Sequence, residues 1–196
     1  MQSVVMHLRA LLQTQPARCV CLPGAFNGFV GRLCAETGFK ACYLSGGALS
    51  ASCGIPDTGI LERSRFVAAV KEISRASKLP ILADADTGFG THIDTYETVR
   101  LYHEAGASGF HIEDQVFPKR CGHLAGKELV PLEEFCNKIK AACRARDECT
   151  QGQFIICART DARSVLGLDE ALERGKAYAE LGADMLFPEG LETEVN

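Results

Sequence analysis

ILADADTGFG, residues 81–90, is a short apolar run that breaks off into Asp84, Asp86 and two glycines. A run of that length, closed by turn residues, reads as a buried strand rather than a helix. The same pattern recurs on both sides of it. Candidate strands are Arg18–Leu22, Ala41–Leu44, Ile81–Ala83, Gly109–Ile112, Phe154–Ala158 and Met185–Phe187. Between them, apolar residues at helical spacing predict helices such as Phe66–Ser77, Ile93–Ala105, Leu132–Arg146 and Leu168–Leu181. Regular alternation makes the strands parallel with helices outside, which leaves a β/α barrel and an open doubly wound sheet as the two architectures.

The strand ends choose between them. Tyr43 and Ser45, Asp84 and Asp86, Glu113 and Asp114, Arg159 and Asp161, then Glu189 all stand where a candidate strand stops. In a barrel these ends converge on one mouth; in an open sheet they spread along an edge. The expected fold is therefore an α/β, TIM-type (β/α)8 barrel. A closed eight-fold barrel takes about 250 residues, so 196 residues provide about six of its strands, truncated, in one domain over 1–196. A carboxylate at a strand end can also cap the next helix, and that reading is granted to Asp114 and Asp161.

Composition excludes several classes. Hydrophobic residues at 46% and charged residues at 23% argue against disorder. A net charge of −4 with scattered basic residues argues against a nucleic-acid partner. No apolar run approaches the roughly 20 residues that span a bilayer, so no membrane partner is expected, and the start lacks a signal-peptide cleavage pattern. The ten cysteines lack zinc-ligand spacing, and most, such as Cys34, Cys42 and Cys157, sit in apolar segments. A reducing compartment follows: the cytoplasm, or the mitochondrial matrix for a eukaryotic source.

Asp84 and Asp86 are two residues apart, so in extended backbone both side chains face one way and repel. A divalent cation with hard-oxygen preference relieves that repulsion, and Glu113 on the next strand is placed to help. The competing reading, that Asp86 merely opens a turn before Gly88 and Gly90, is weakened by Glu113. The stretch Glu113–Pro131 has no helical periodicity and reads as a long functional loop. Within it Cys121 is flanked by Lys119, Arg120 and His123, cations that favour thiolate, although a bystander cysteine in a solvated loop would look the same.

YLSGG (43–47), PDTG (56–59), ADADTGFG (83–90), HIEDQ (111–115), KRCGH (119–123), ARTDA (158–162) and LFPE (186–189) together resemble the isocitrate lyase and phosphoenolpyruvate mutase superfamily. KRCGH places the resemblance in its lyase branch, on the methylisocitrate lyase side. That resemblance implies a magnesium-dependent carbon-carbon lyase, with manganese as a possible substitute, cleaving 2-methylisocitrate to pyruvate and succinate. It implies Asp84, Asp86 and Glu113 as metal residues, and Ser45, Gly46, Gly47, Asp57, Cys121, Gly122, Arg159 and Glu189 as substrate-binding residues. Cys121 would be the general acid, Tyr43 a possible base, with His123 and Lys119 also catalytic. The substrate class is a small 2-hydroxy tricarboxylate or dicarboxylate, and complete family members are expected to be homo-tetramers. Arg159 can instead pair structurally with Asp161 or Glu189. Related readings are an alkylmalate- or oxaloacetate-acting enzyme on the same scaffold and a truncated, non-catalytic paralogue; a cysteine-rich metal store is the weakest. Family members also carry two further strands, so weak or absent activity of the chain alone is expected.

Overall fold

Six parallel strands pair strictly in chain order, β1 with β2 and so on to β6, in one sheet. They are β1 Gly24–Ala25, β2 Cys42–Leu44, β3 Ile81–Asp84, β4 Gly109–Glu113, β5 Ile155–Thr160 and β6 Met185–Pro188. The computed structural model describes residues 8–13, 19–122 and 124–191. A doubly wound sheet reverses its strand order partway; the unreversed order found here, with helical crossovers between parallel strands, is that of consecutive units of a barrel. The architecture is thus the expected one, an arc of a TIM-type barrel.

The helices are α1 Gly28–Glu36, α2 Gly46–Ser52, α3 Arg63–Ser77, α4 His92–Ala105, α5 Leu132–Thr150, α6 Ala162–Val165 and α7 Leu168–Glu180. Their starts have local causes. Asn27 caps α1 by accepting from Val30 N at 2.9 Å. Thr91 and Asp94 form a reciprocal capping box on α4, and Gly106 ends that helix in the left-handed region at φ 103°.

Period-two alternation divides the strand residues between two environments. Cys42, Leu44, Ile81, Ala83, Phe110, Ile112, Ile156 and Ala158 join one buried core with the helices, including Phe66, Ile73, Tyr102, Phe135 and Tyr178. On the other face, Leu82, Ile155 and Met185 pack with Leu8, Leu11, Leu12 and Leu22. Leu8–Leu12 is helical, so this short segment plugs the barrel end opposite the strand C-termini. Arg9 secures it, donating to Phe154 O at 3.2 Å and to Asp184 Oδ1 at 2.9 Å.

That plug corrects the first expected strand. Of Arg18–Leu22, Arg18 lies outside the described residues and 19–22 form no strand; pairing begins at Gly24, opposite Tyr43. Within this run Cys19 and Cys21 are exposed, and Leu22 packs against the plug rather than in the sheet.

Candidate active site

Continuing the inward register upward, β2 presents Tyr43, β3 Asp84, β4 His111 and Glu113, and β5 Arg159, with Asp84 opposite His111 and Glu113 opposite Arg159. All of these but the half-buried Tyr43 are buried. One rim therefore holds three carboxylates (Asp84, Asp86, Glu113), and two cations, Lys119 and Arg159, answer them.

Asp84 organises the left wall. Its Oδ2 accepts Gly46 N at 3.0 Å and Tyr43 OH at 3.4 Å; its Oδ1 accepts Asp86 N at 3.0 Å. Burial opposes its ionisation, but His111, Lys119 and the two backbone donors outweigh burial and hold its carboxyl below the usual range. The strand ends at Asp84, and Asp86 takes a left-handed backbone at φ 44°. The pair is therefore not two steps of one extended strand, as the spacing implied. Burial first, then the charge of Asp84, pushes Asp86 up to about 7 against the pull of Lys119. Glu113 rises well above the carboxylate range, again chiefly through burial, and neither of its oxygens has a hydrogen-bond donor.

Lys119 Nζ lies 2.6 Å from Asp57 Oδ1 and 3.0 Å from Asp86 Oδ1. The ammonium is turned toward the carboxylates, while Arg120 reaches Ala125 O at 3.4 Å. His123 lies outside the described residues.

Arg159 binds Asp161 with two bonds, Nε–Oδ2 at 3.0 Å and Nη2–Oδ1 at 3.1 Å, and stands 3.4 Å from Glu113 Oε2 and 3.6 Å from Glu189 Oε2. Its guanidinium also lies over the Phe187 ring, 5.2 Å from the centroid. The structural pairing foreseen for Arg159 is thus present, leaving Nη1 as the arm nearest the rim carboxylates.

Ser45 caps α2, its Oγ accepting Ala48 N at 3.1 Å. Gly46 N donates to Asp84 Oδ2 at 3.0 Å. A Cβ on Gly46 would stand 2.7 Å from Asp84 Oδ2 and 3.2 Å from the Phe66 ring. Gly46→Ala is expected to displace Asp84 and lower divalent-cation affinity at least tenfold; titration calorimetry with magnesium checks it, and unchanged affinity would contradict this role for the contact.

The capping roles granted to Asp114 and Asp161 are corrected too. Asp114 Oδ2 accepts Thr160 Oγ1 at 2.7 Å, Tyr178 OH at 2.9 Å and Arg174 Nη1 at 3.2 Å, and Oδ1 accepts Asp161 N at 3.0 Å. Asp161 makes no side-chain cap to α6; it pairs with Arg159 and Lys127. Both carboxylates are drawn to buried cations, Arg174 for Asp114 and Arg159 with Lys127 for Asp161.

His111 was not singled out from sequence. Its Nε2 is 2.7 Å from Tyr43 OH and 3.6 Å from Asp84 Oδ1, and its ring stacks on Tyr43 at 5.6 Å. Its position two residues before Glu113 on a strand buried throughout was the available signal. All ten cysteines are free; Cys34, Cys42, Cys143 and Cys157 are buried, and Cys121 is half-buried. A cavity of about 1160 Å³ lies beside the rim, lined by Ile60, Val67, Phe89, Phe117 and Lys138 among others, and does not contain the acidic cluster.

Among the described residues no three groups already stand as a metal cage. The donor set nonetheless fits magnesium, which takes one or two carboxylates and keeps its waters, and the undonated oxygens of Glu113 are the clearest sign of missing positive charge.

An inward-facing acidic rim at the C-terminal ends of barrel strands, under a long loop, defines a class of barrel enzyme site. The phosphoenolpyruvate phosphomutase family matches residues 8–196. The chain is 46% identical to 2,3-dimethylmalate lyase of Eubacterium barkeri over 95% of its own length and 63% of the relative's. It is 46% identical to 2-methylisocitrate lyase of Bacillus subtilis, over 88% of its length and 56% of that protein's. A structure of oxaloacetate acetylhydrolase with 3,3-difluorooxalacetate superposes at a TM-score of 0.92 with 36% identity, covering 98% of this chain and 65% of the other. The chain belongs to the phosphoenolpyruvate mutase and isocitrate lyase superfamily, and it spans less than two thirds of the length of these relatives.

Proposed function

We propose that this chain carries the metal- and substrate-binding rim of a magnesium-dependent carbon-carbon lyase acting on a 2-hydroxy tricarboxylate or dicarboxylate, with 2-methylisocitrate cleaved to pyruvate and succinate. The observation that carries the proposal is the buried cluster of Asp84, Asp86 and Glu113 facing Lys119 and Arg159 at one barrel mouth. Asp84 and Asp86 would hold magnesium, or manganese in its place, with Glu113 acting through water. Bound there, the ion supplies Lewis-acid polarisation of the 2-hydroxyl and its neighbouring carboxylate.

The protein's residues do the rest. Asp57 and Lys119 border the metal end, Ser45 and Gly47 lie at the start of α2 for a carboxylate, and Arg159, Glu189 and Gly122 form the far wall. The 2-hydroxyl gives its proton to the Tyr43 oxygen as Tyr43 passes its own to His111 Nε2, 2.7 Å away; the adjacent carbon-carbon bond breaks, and the electron pair left on the succinate fragment takes a proton from the Cys121 thiol, leaving a thiolate. Burial, then Asp84, pushes the Tyr43 phenol up. It therefore keeps its proton at rest, and Tyr43 would act as the base by handing that proton on to His111. The retained proton is consistent with the 2.7 Å contact between them. His123 completes the loop's catalytic residues, and assembly as a homo-tetramer of complete family members fits the same reading.

The test is pyruvate release from 2-methylisocitrate with magnesium and with chelator, for this chain and Cys121→Ser. Weak, magnesium-dependent release that falls about 100-fold, or below detection, in the variant is expected; release in chelator, or undiminished by the substitution, would overturn the assignment, and no release from either protein would favour a non-catalytic chain. The identity to 2,3-dimethylmalate lyase favours a second reading, a shorter alkylmalate substrate, which faster turnover of 2,3-dimethylmalate in the same panel would establish.

A further inference from the structure

The loop bearing Cys121 leaves β4 and returns to α5 along one seam. Val116 N donates to Glu128 O and Val130 N to Asp114 O, and Gln115 bridges Leu129. Inside the loop, the Gln115 amide holds both backbone groups of Arg120, at 3.0 and 2.9 Å. These bonds fix the base of the loop. They do not attach its middle to the rim.

Two lysines do: Lys119 ties the loop to Asp57 and Asp86 on one side, and Lys127 ties it to the Arg159 side. The Lys127 side chain is 2% exposed, and its Nζ donates to Asp161 Oδ1 at 2.9 Å and to Gly122 O at 2.5 Å. Asp161 is fully buried and grips Arg159 with the same carboxylate, while Asp114 fixes Asp161 from below through its backbone N–H. Gly122 is seated tightly: a Cβ there would fall 2.5 Å from Arg159 Nη2 and 2.6 Å from Glu189 Oε1. One carboxylate thus sets the Arg159 guanidinium and, through Lys127, the carbonyl next to Cys121. A buried ion pair is weak evidence for stability in itself, since desolvation offsets much of the attraction. Its geometry here ties two functional elements together.

We propose that Lys127 is a positioning residue that latches the Cys121 segment onto the Arg159 and Glu189 wall through Asp161. The catalytic consequence rests on the reading of Cys121 as proton donor; the latch itself does not.

The test needs no turnover. Alkylation of each cysteine by N-ethylmaleimide is followed by peptide mass spectrometry in the unmodified chain, Lys127→Met and Lys127→Arg. Cys121 is expected to react about tenfold faster in Lys127→Met, the loss of a charge-assisted hydrogen bond, with buried Cys34 and Cys143 unchanged and Lys127→Arg restored toward the parent rate. Should Lys127→Met fold poorly, Lys127→Met with Asp161→Asn removes both charges and should free Cys121 alike. An unchanged Cys121 rate, or a rise shared by Cys34 and Cys143, would overturn the latch. Absence of lyase activity would bear on the proposed function and leave this result standing.

Discussion

Asp114→Ala is expected to cost the fold about 3–5 kcal/mol, the range for breaking a buried charge pair by removing one partner. Asp114 is fully buried and joins the ends of β4 and β5 to α7 through Thr160, Asp161, Arg174 and Tyr178. Truncation leaves the Tyr178 hydroxyl and the Asp161 N–H without their acceptor and strips Arg174 of one of its two carboxylates, the other being Glu170 at 2.8 Å. In a chain of this size that corresponds to a fall in Tm of roughly 10 °C. Urea unfolding of the two proteins measures it. Asp94→Ala, which removes an exposed capping box, is the comparison and should cost only about 1 kcal/mol. Equal losses would mean that Asp114 is a cap after all.

Lys119→Met should be the second large effect, and its size should depend on metal. Lys119 is 3% exposed between Asp57 and Asp86. Burial alone would lower its pKa, but Asp86, Glu113 and Asp84 together raise it, so it stays charged. Removing that charge leaves the acidic cluster under-neutralised, at a cost of several kcal/mol. A cation that binds only the folded chain returns stability by mass action. The variant should therefore melt well below the parent in chelator, and magnesium should raise its Tm by more than it raises the parent's. Thermal unfolding with and without magnesium provides the check; equal magnesium increments would separate Lys119 from the cation site.

The strands β2 to β6 were legible because each is a short apolar run closed by a polar or turn residue, and a buried parallel strand needs little else. The first was misread because CVCL at residues 19–22 has the same composition, but it leaves Cys19 and Cys21 exposed and sends Leu22 under the barrel beside Leu8 and Leu12. Helix α2 escaped notice because GGALSAS lacks an apolar stripe; its cap, Ser45, was the only local cue. Rim carboxylates were visible as strand-end acids. Their partners were not, since Arg174 and Tyr178 reach Asp114 across 60 and 64 residues. A capping role is the local reading of an acid, and only tertiary packing replaces it. The direction of Lys119 was likewise beyond sequence, because adjacency to Cys121 in the chain says nothing about which acceptor a four-carbon stem finds.

Calorimetric titration of oxalate, a small mimic of a 2-oxo acid, into the chain with magnesium and then with chelator tests the central claim most directly. Binding that requires magnesium and disappears in Asp86→Asn is the expected result. Binding of equal strength in chelator, or retained in Asp86→Asn, would contradict a magnesium-held substrate at this rim.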